Sequence, residues 1–235
     1  MGFALDFAYI LYIAIPMAIL SFIASYLTKS TFQKYSKFIG SRGVTGAEAA
    51  RIMLERNGVY DCRIEPISGS LTDHYDPRDR TLRLSEDVYS SRSLSAIGVA
   101  CHEAGHALQH ASNYAFLNFR SSLVPMVSLT SNLSIWVIGL GTLMGFNKTL
   151  MTIGCILLAV AVLFAIVTLP VEWDASARAK KAMVTAGLVT PQESEHAGKV
   201  LNAAFLTYLA AAVSSIMTLL YYLWRAGILG GNNDD

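Results

Sequence analysis

The segment His102-Glu103-Ala104-Gly105-His106 places two imidazoles and a carboxylate within little more than one helical turn. In an α-helix, positions four apart lie about 40° apart around the axis and about 6 Å along it, so His102 and His106 can hold one metal ion. Glu103 is rotated about 60° from His106 on the same geometry, and its carboxylate faces the remaining coordination position rather than filling it. Zinc suits this chemistry, because it lowers the pKa of a water toward about 7 and polarises a peptide carbonyl. Glu103 is then the expected catalytic base, taking the water's proton and passing it to the leaving amine. The same pattern also occurs in helices with two merely buried histidines. Its place on a predicted helix beside polar segments favours ligation here. Gly105 costs roughly 1 kcal/mol against Ala inside a helix, which predicts another element packed closely against it.

A catalytic zinc normally takes a third protein ligand. His110 lies eight residues beyond His102, about 12 Å along the helix and about 80° round, too far to share the ion. It is expected to be a supporting or structural residue. Glu172 is the favoured third ligand, with Asp174 and His196 as runners-up. Glu172 also has an ordinary reading, as a carboxylate favoured by the dipole at a helix start.

The elements that must position these groups are largely apolar. Hydrophobic residues make up 53% of the 235-residue chain and charged residues only 15%, unlike a soluble globular protein. Four runs carry no charge, Phe7 to Thr28, Ser121 to Asn147, Thr149 to Val171 and Val200 to Trp224, of 22, 27, 23 and 25 residues. About 20 residues suffice to cross a hydrocarbon core. The expected divisions are transmembrane helices at 7–28, 121–146, 149–171 and 200–224. Residues 29–120 form a module with the metal-binding helix, 172–199 a helical segment with the third ligand, and 225–235 a tail. The first run reads as a retained anchor, not a cleaved signal, since nothing basic precedes it and Lys29, Lys34 and Lys37 follow. The first half of the second run is rich in Ser, Thr and Asn, which suggests a protein interface. Two spans separate His106 from Glu172, so an even number of crossings returns the chain to the same side.

Twelve of the 18 Lys and Arg residues lie in 29–120 and four in 172–199, which places both polar segments in the cytosol and the protein in the plasma membrane. The net charge of +1, with no basic patch alternating with aromatics, points to no nucleic-acid partner. Three cysteines, Cys62, Cys101 and Cys155, are too few and odd in number for a disulfide framework. Cys101 reads as a small buried helix residue.

Within the first polar segment, Thr45-Gly46-Ala47-Glu48 has the form of a capping box opening a short helix that Gly58 terminates. Cys62 to Ile67 and Thr81 to Leu84 read as strands on either side of a turn-rich segment, Ser68 to Pro77. A long helix is expected from about Ser93 to His110. Helical character resumes at Val171 and stops at Gly187. Thr190-Pro191-Gln192-Glu193 then gives a second capping box, and its helix runs into the last span. The tail 230–235 is expected to be disordered.

Three segments together resemble the YugP-like family of membrane zinc metallopeptidases, itself similar to the HtpX and Ste24 peptidases of the gluzincin group. They are Leu71-Thr72-Asp73-His74-Tyr75-Asp76-Pro77, the stretch His102 to His110, and Pro170-Val171-Glu172-Trp173-Asp174-Ala175-Ser176. The resemblance implies His102, His106 and Glu172 as metal ligands and Glu103 as catalytic base. HtpX-like enzymes carry Asp four residues after the ligand Glu, orienting a histidine. Ser176 stands there in this chain, leaving Asp174 as another source of that support. The resemblance further implies that an edge strand before the motif helix, here Thr81 to Leu84, takes substrate as an added strand. It offers His74 and Tyr75 either as donors to the tetrahedral intermediate or as turn formers.

The expectation is thus an α-helical integral membrane protein with four transmembrane helices and a small cytosolic α+β, zincin-like module. It would be a zinc metalloendopeptidase acting on proteins or peptides at the bilayer surface. The alternative is a non-catalytic scaffold or partner-binding subunit with a structural metal site, against which the intact Glu103 argues. Proteolysis within the membrane would need ligands deep in the spans, and the charged neighbourhood of both motif segments speaks for a surface site.

Overall fold

The computed structural model describes residues 6–229, so the expectation about the tail 230–235 lies outside it. Helices α1 (Phe7–Tyr9) and α2 (Ile15–Tyr35) run on through a π-helical stretch, Ile10–Ala14. After α3 (Gly46–Arg56) come strands β1 (Arg63–Ile67), β2 (His74–Asp76) and β3 (Thr81–Ser85). The short α4 (Glu86–Tyr89) leads to α5 (Leu94–Ala111), and three long helices follow: α6 (Ala115–Leu143), α7 (Lys148–Thr185) and α8 (Pro191–Arg225). Among the described residues, four stretches are long and apolar enough to cross a membrane, namely Phe7–Tyr35, α6, α7 and α8.

The chain divides into two units. One comprises the segments up to Ile23, Phe119–Leu169 and from Tyr208 onward. Its helices approach closely through small residues: a Cβ on Gly154 would come within 2.4 Å of Ile138 Cγ1. Large apolar side chains face outward, and Leu129, Ile135 and Trp136 are two-thirds or more exposed. Exposure of that kind fits lipid as the surrounding solvent. The Ser/Thr/Asn-rich half of α6 satisfies several of its polar groups locally. Thr130 donates to Met126 O, Asn132 to Ser128 O and Ser134 to Ser131 O, each within its own helix.

The other unit, Ala24–Asn118 with Pro170–Thr207, holds the sheet and the buried helix α5. Both capping boxes form. Glu48 and Glu193 accept from the backbone N–H of Thr45 and Thr190, each at 2.7 Å, and the threonine hydroxyls accept in return. Ser93 caps α5, its hydroxyl accepting from Ala96 N. Leu82 and Leu84 of β3 are fully buried against Met53 and Leu54 of α3 and Ile97 and Ala104 of α5. Fourteen of the 18 residues of α5 are buried, so the helix is enclosed on most of its faces.

The strand order is β1-β3-β2, with β1 parallel and β2 antiparallel to β3. This corrects one expectation. The strand at Thr81–Ser85 is central, hydrogen-bonded on both sides, and cannot accept an added strand. The edges are β1, which carries Pro66 where a missing N–H is tolerated, and β2, which arises inside the segment expected to be only turns.

Candidate metal centre

Helix α5 presents His102 and His106 toward α7, and the approach of the two helices is set by Gly105. A Cβ there would lie 2.6 Å from Ala175 O, so only glycine lets the backbones meet. One turn before Ala175, Glu172 projects at the imidazole pair. Its Oε2 is 3.2 Å from His102 Nε2 and 3.5 Å from His106 Nε2. Helix α7 runs unbroken through Pro170, so Glu172 sits mid-helix, and a dipole at a helix start does not explain it.

The donor set fits zinc. Tetrahedral zinc with bonds of about 2.0–2.2 Å sets its donors roughly 3.3–3.6 Å apart. Of the two nitrogen–oxygen separations, 3.5 Å lies in that range and 3.2 Å just below it, and one ligand atom from each of the three residues lies within 4.8 Å of the others. Glu172 is only 2% exposed, so its charge is withdrawn from water and needs a cation or a proton close by. Burial opposes a charge on His106, yet its hydrogen bond to Glu172 wins and holds its pKa above the ordinary value. Among the described residues this is the one His/Cys/Asp/Glu group of three or more arranged to hold a metal.

Each imidazole is braced at its other nitrogen. His102 Nδ1 is 3.1 Å from Ser176 Oγ, so Ser176, four residues after Glu172, does contact a histidine. His106 Nδ1 is 3.0 Å from Gln109 Oε1, and Gln109 Nε2 donates to Asp174 Oδ2 at 2.8 Å. Asp174 therefore supports the second histidine through an intermediary that sequence reasoning missed. The one available signal was spacing, because a residue at i+3 lies on the neighbouring helix face.

The other candidates go elsewhere. His196 stacks on Tyr35 at 5.2 Å between ring centroids. His110 is hydrogen-bonded to Tyr75 Oη at 2.8 Å, and the exposed His74 is tied to Thr72 O. Asp73, just ahead of β2, accepts from the backbone N–H and hydroxyl of Ser85. Burial raises its pKa, and the neighbouring Glu103 charge adds to the rise. Glu103 is itself nearly buried. Cys101 is fully buried and its thiol is pushed up to about 12, in keeping with a packing role.

Residues 9–227 match the family described as "Putative neutral zinc metallopeptidase". Over 204 residues the chain is 48% identical to a Bacillus subtilis (strain 168) protein described as "Putative membrane protease YugP", a match covering 87% of this chain and 90% of that one. No solved structure matches the chain. Zinc is the metal that this kinship implies, and the four long apolar helices make the chain a multi-pass membrane protein. With two imidazoles and a buried carboxylate converging where zinc would fit, the chain belongs to the neutral zinc metallopeptidase family.

Proposed function

We propose that the protein is a zinc metalloendopeptidase that cleaves internal peptide bonds of proteins or peptides at the cytosolic face of the plasma membrane. His102, His106 and Glu172 are the ligands and Glu103 is the base. The observation that carries this reading is the convergence of Glu172 on the paired imidazoles within 3.2 and 3.5 Å, with Glu103 on the same helix as the pair.

Zinc held by the three residues supplies Lewis acidity that polarises the scissile carbonyl and acidifies water. Glu103 accepts a proton as the water oxygen bonds to the carbonyl carbon. It returns that proton to the nitrogen as the carbon–nitrogen bond breaks. Substrate lies along the open edge of β2 as an added strand, next to Asp73 and Glu103. Residues 29–120 and 172–199 form the cytosolic module, and the four apolar segments are the spans, in keeping with sixteen of the 18 basic residues falling in those two polar segments.

The test is cleavage of a quenched protein substrate by detergent-purified wild type and Glu103→Gln, with zinc content measured on both. The expected result is a Gln variant that keeps its zinc and loses cleavage. Equal cleavage by both removes the mechanism, and zinc without cleavage in the wild type favours the scaffold reading.

A further inference from the structure

We propose that Gln109 is a positioning residue that fixes the tautomer of His106 and so aims the His106 Nε2 lone pair at the metal centre, with Asp174 and Arg178 holding Gln109 in turn. The inference rests on the zinc-site reading and deepens it.

A glutamine amide has one end that only accepts and one that only donates. One end of the Gln109 amide lies 2.8 Å from Val171 O and 2.8 Å from Asp174 Oδ2. Both partners are acceptors, so this end is the NH2 group whatever amide orientation is first assigned. The other end is then the carbonyl, and it lies 3.0 Å from His106 Nδ1. A carbonyl oxygen cannot donate, so Nδ1 carries a hydrogen and donates it. A neutral imidazole protonated at Nδ1 has its lone pair on Nε2, the nitrogen 3.5 Å from Glu172 Oε2. With Nδ1 already carrying a hydrogen, the Nε2 lone pair is left to take either a second proton, shared with that carboxylate in the hydrogen bond described above, or the metal in its place. The amide thus selects the one neutral tautomer that ligates.

Gln109 is fully buried, so water does not substitute for it. Its acidic partner is held in turn: Arg178 Nε donates to Asp174 Oδ2 at 2.6 Å, and the guanidinium lies over the Tyr114 ring, 5.6 Å from its centroid. Arg178 also donates to Ser112 Oγ at 3.3 Å. Asp174 cannot turn away without leaving the Arg178 charge, so the chain from guanidinium to imidazole is fixed in one sense. Ser176 beside His102 differs in kind. A hydroxyl both donates and accepts, so it orients the ring without choosing a tautomer.

Full-length protein in detergent tests this by zinc affinity, measured in competition with a chromophoric chelator. The thermal midpoint of the apoprotein and the spectrum of [15N]histidine-labelled, zinc-loaded protein are recorded alongside. Gln109→Met keeps the length and removes both polar ends. The expected result is an affinity about 10- to 100-fold weaker, the range for lost outer partners of a ligating histidine. The His106 Nδ1–H signal should also change, while the apoprotein stays folded. Wild-type affinity in this variant overturns the proposal and leaves the zinc site standing, whereas a wild type that binds no zinc removes both. Should Gln109→Met fail to fold, Arg178→Met decides: a several-fold loss of affinity supports the relay and an unchanged affinity overturns it.

Discussion

His102 and His106 lie one turn apart on α5 and share a carboxylate, yet the protein braces them by unlike means. Behind His102 stands a single hydroxyl, Ser176 Oγ at 3.1 Å. Behind His106 stands an amide, held by a backbone carbonyl and by an aspartate that an arginine holds in its turn. The first brace tolerates either tautomer and costs little to lose. The second enforces one tautomer and depends on residues from two helices. Support for a metal site is therefore not read from the ligands alone. The side whose partners have fixed donor and acceptor character carries more of the constraint.

Experiments can break or sharpen that contrast. The largest effect is expected from Glu172→Ala, which removes the oxygen common to both imidazoles. Zinc affinity should fall by more than the about 100-fold that bounds the loss of an outer partner, measured by chelator competition. Glu103→Gln leaves both braces and all three ligands in place, so it should cut the cleavage rate by about 10²- to 10⁴-fold with zinc content unchanged. Gly105→Ala disturbs both braces together. Its Cβ would meet Ala175 O at 2.6 Å, and overpacking of this kind costs about 1–3 kcal/mol, visible as a lower thermal midpoint. Ser176→Ala should weaken zinc by less than Gln109→Met does, and equal losses would erase the contrast between the two histidines.

The smallest effect belongs to the sheet edge. Asp76 sits well below the usual carboxylate range because it accepts hydrogen bonds from the Arg78 side chain. A carboxylate whose pKa is depressed by folding stabilises the fold above its unfolded value near 3.9 and loses that contribution as pH falls through the folded value. Asp76→Asn should therefore lower stability at neutral pH slightly and leave it unaffected in strong acid. Thermal midpoints measured across the acid range check this.

Much of this architecture is legible in the residues themselves. The uncharged runs announce the long helices, and Thr45/Glu48 and Thr190/Glu193 announce the two capped starts, because both signals are local. Glu172 is suggested by elimination together with the count of crossings. What escapes is what only tertiary pairing creates. Strand β2 is three residues inside a turn-rich stretch, and only its ladder with β3 makes it a strand, which also makes β3 central. Pro170 misleads in the opposite direction, suggesting a fresh start at Val171 where α7 simply continues. Gln109 reads as an ordinary polar residue because its partners, Val171 and Asp174, lie more than 60 positions away.

The central claim is that two imidazoles and one carboxylate hold a single zinc ion. X-ray absorption at the zinc edge of the purified, zinc-loaded protein tests it most directly. The account predicts one zinc per chain in a shell of nitrogen and oxygen at about 2.0–2.2 Å, with the scattering of two imidazoles. A sulfur neighbour at about 2.3 Å, or a shell with one imidazole or three, would contradict it.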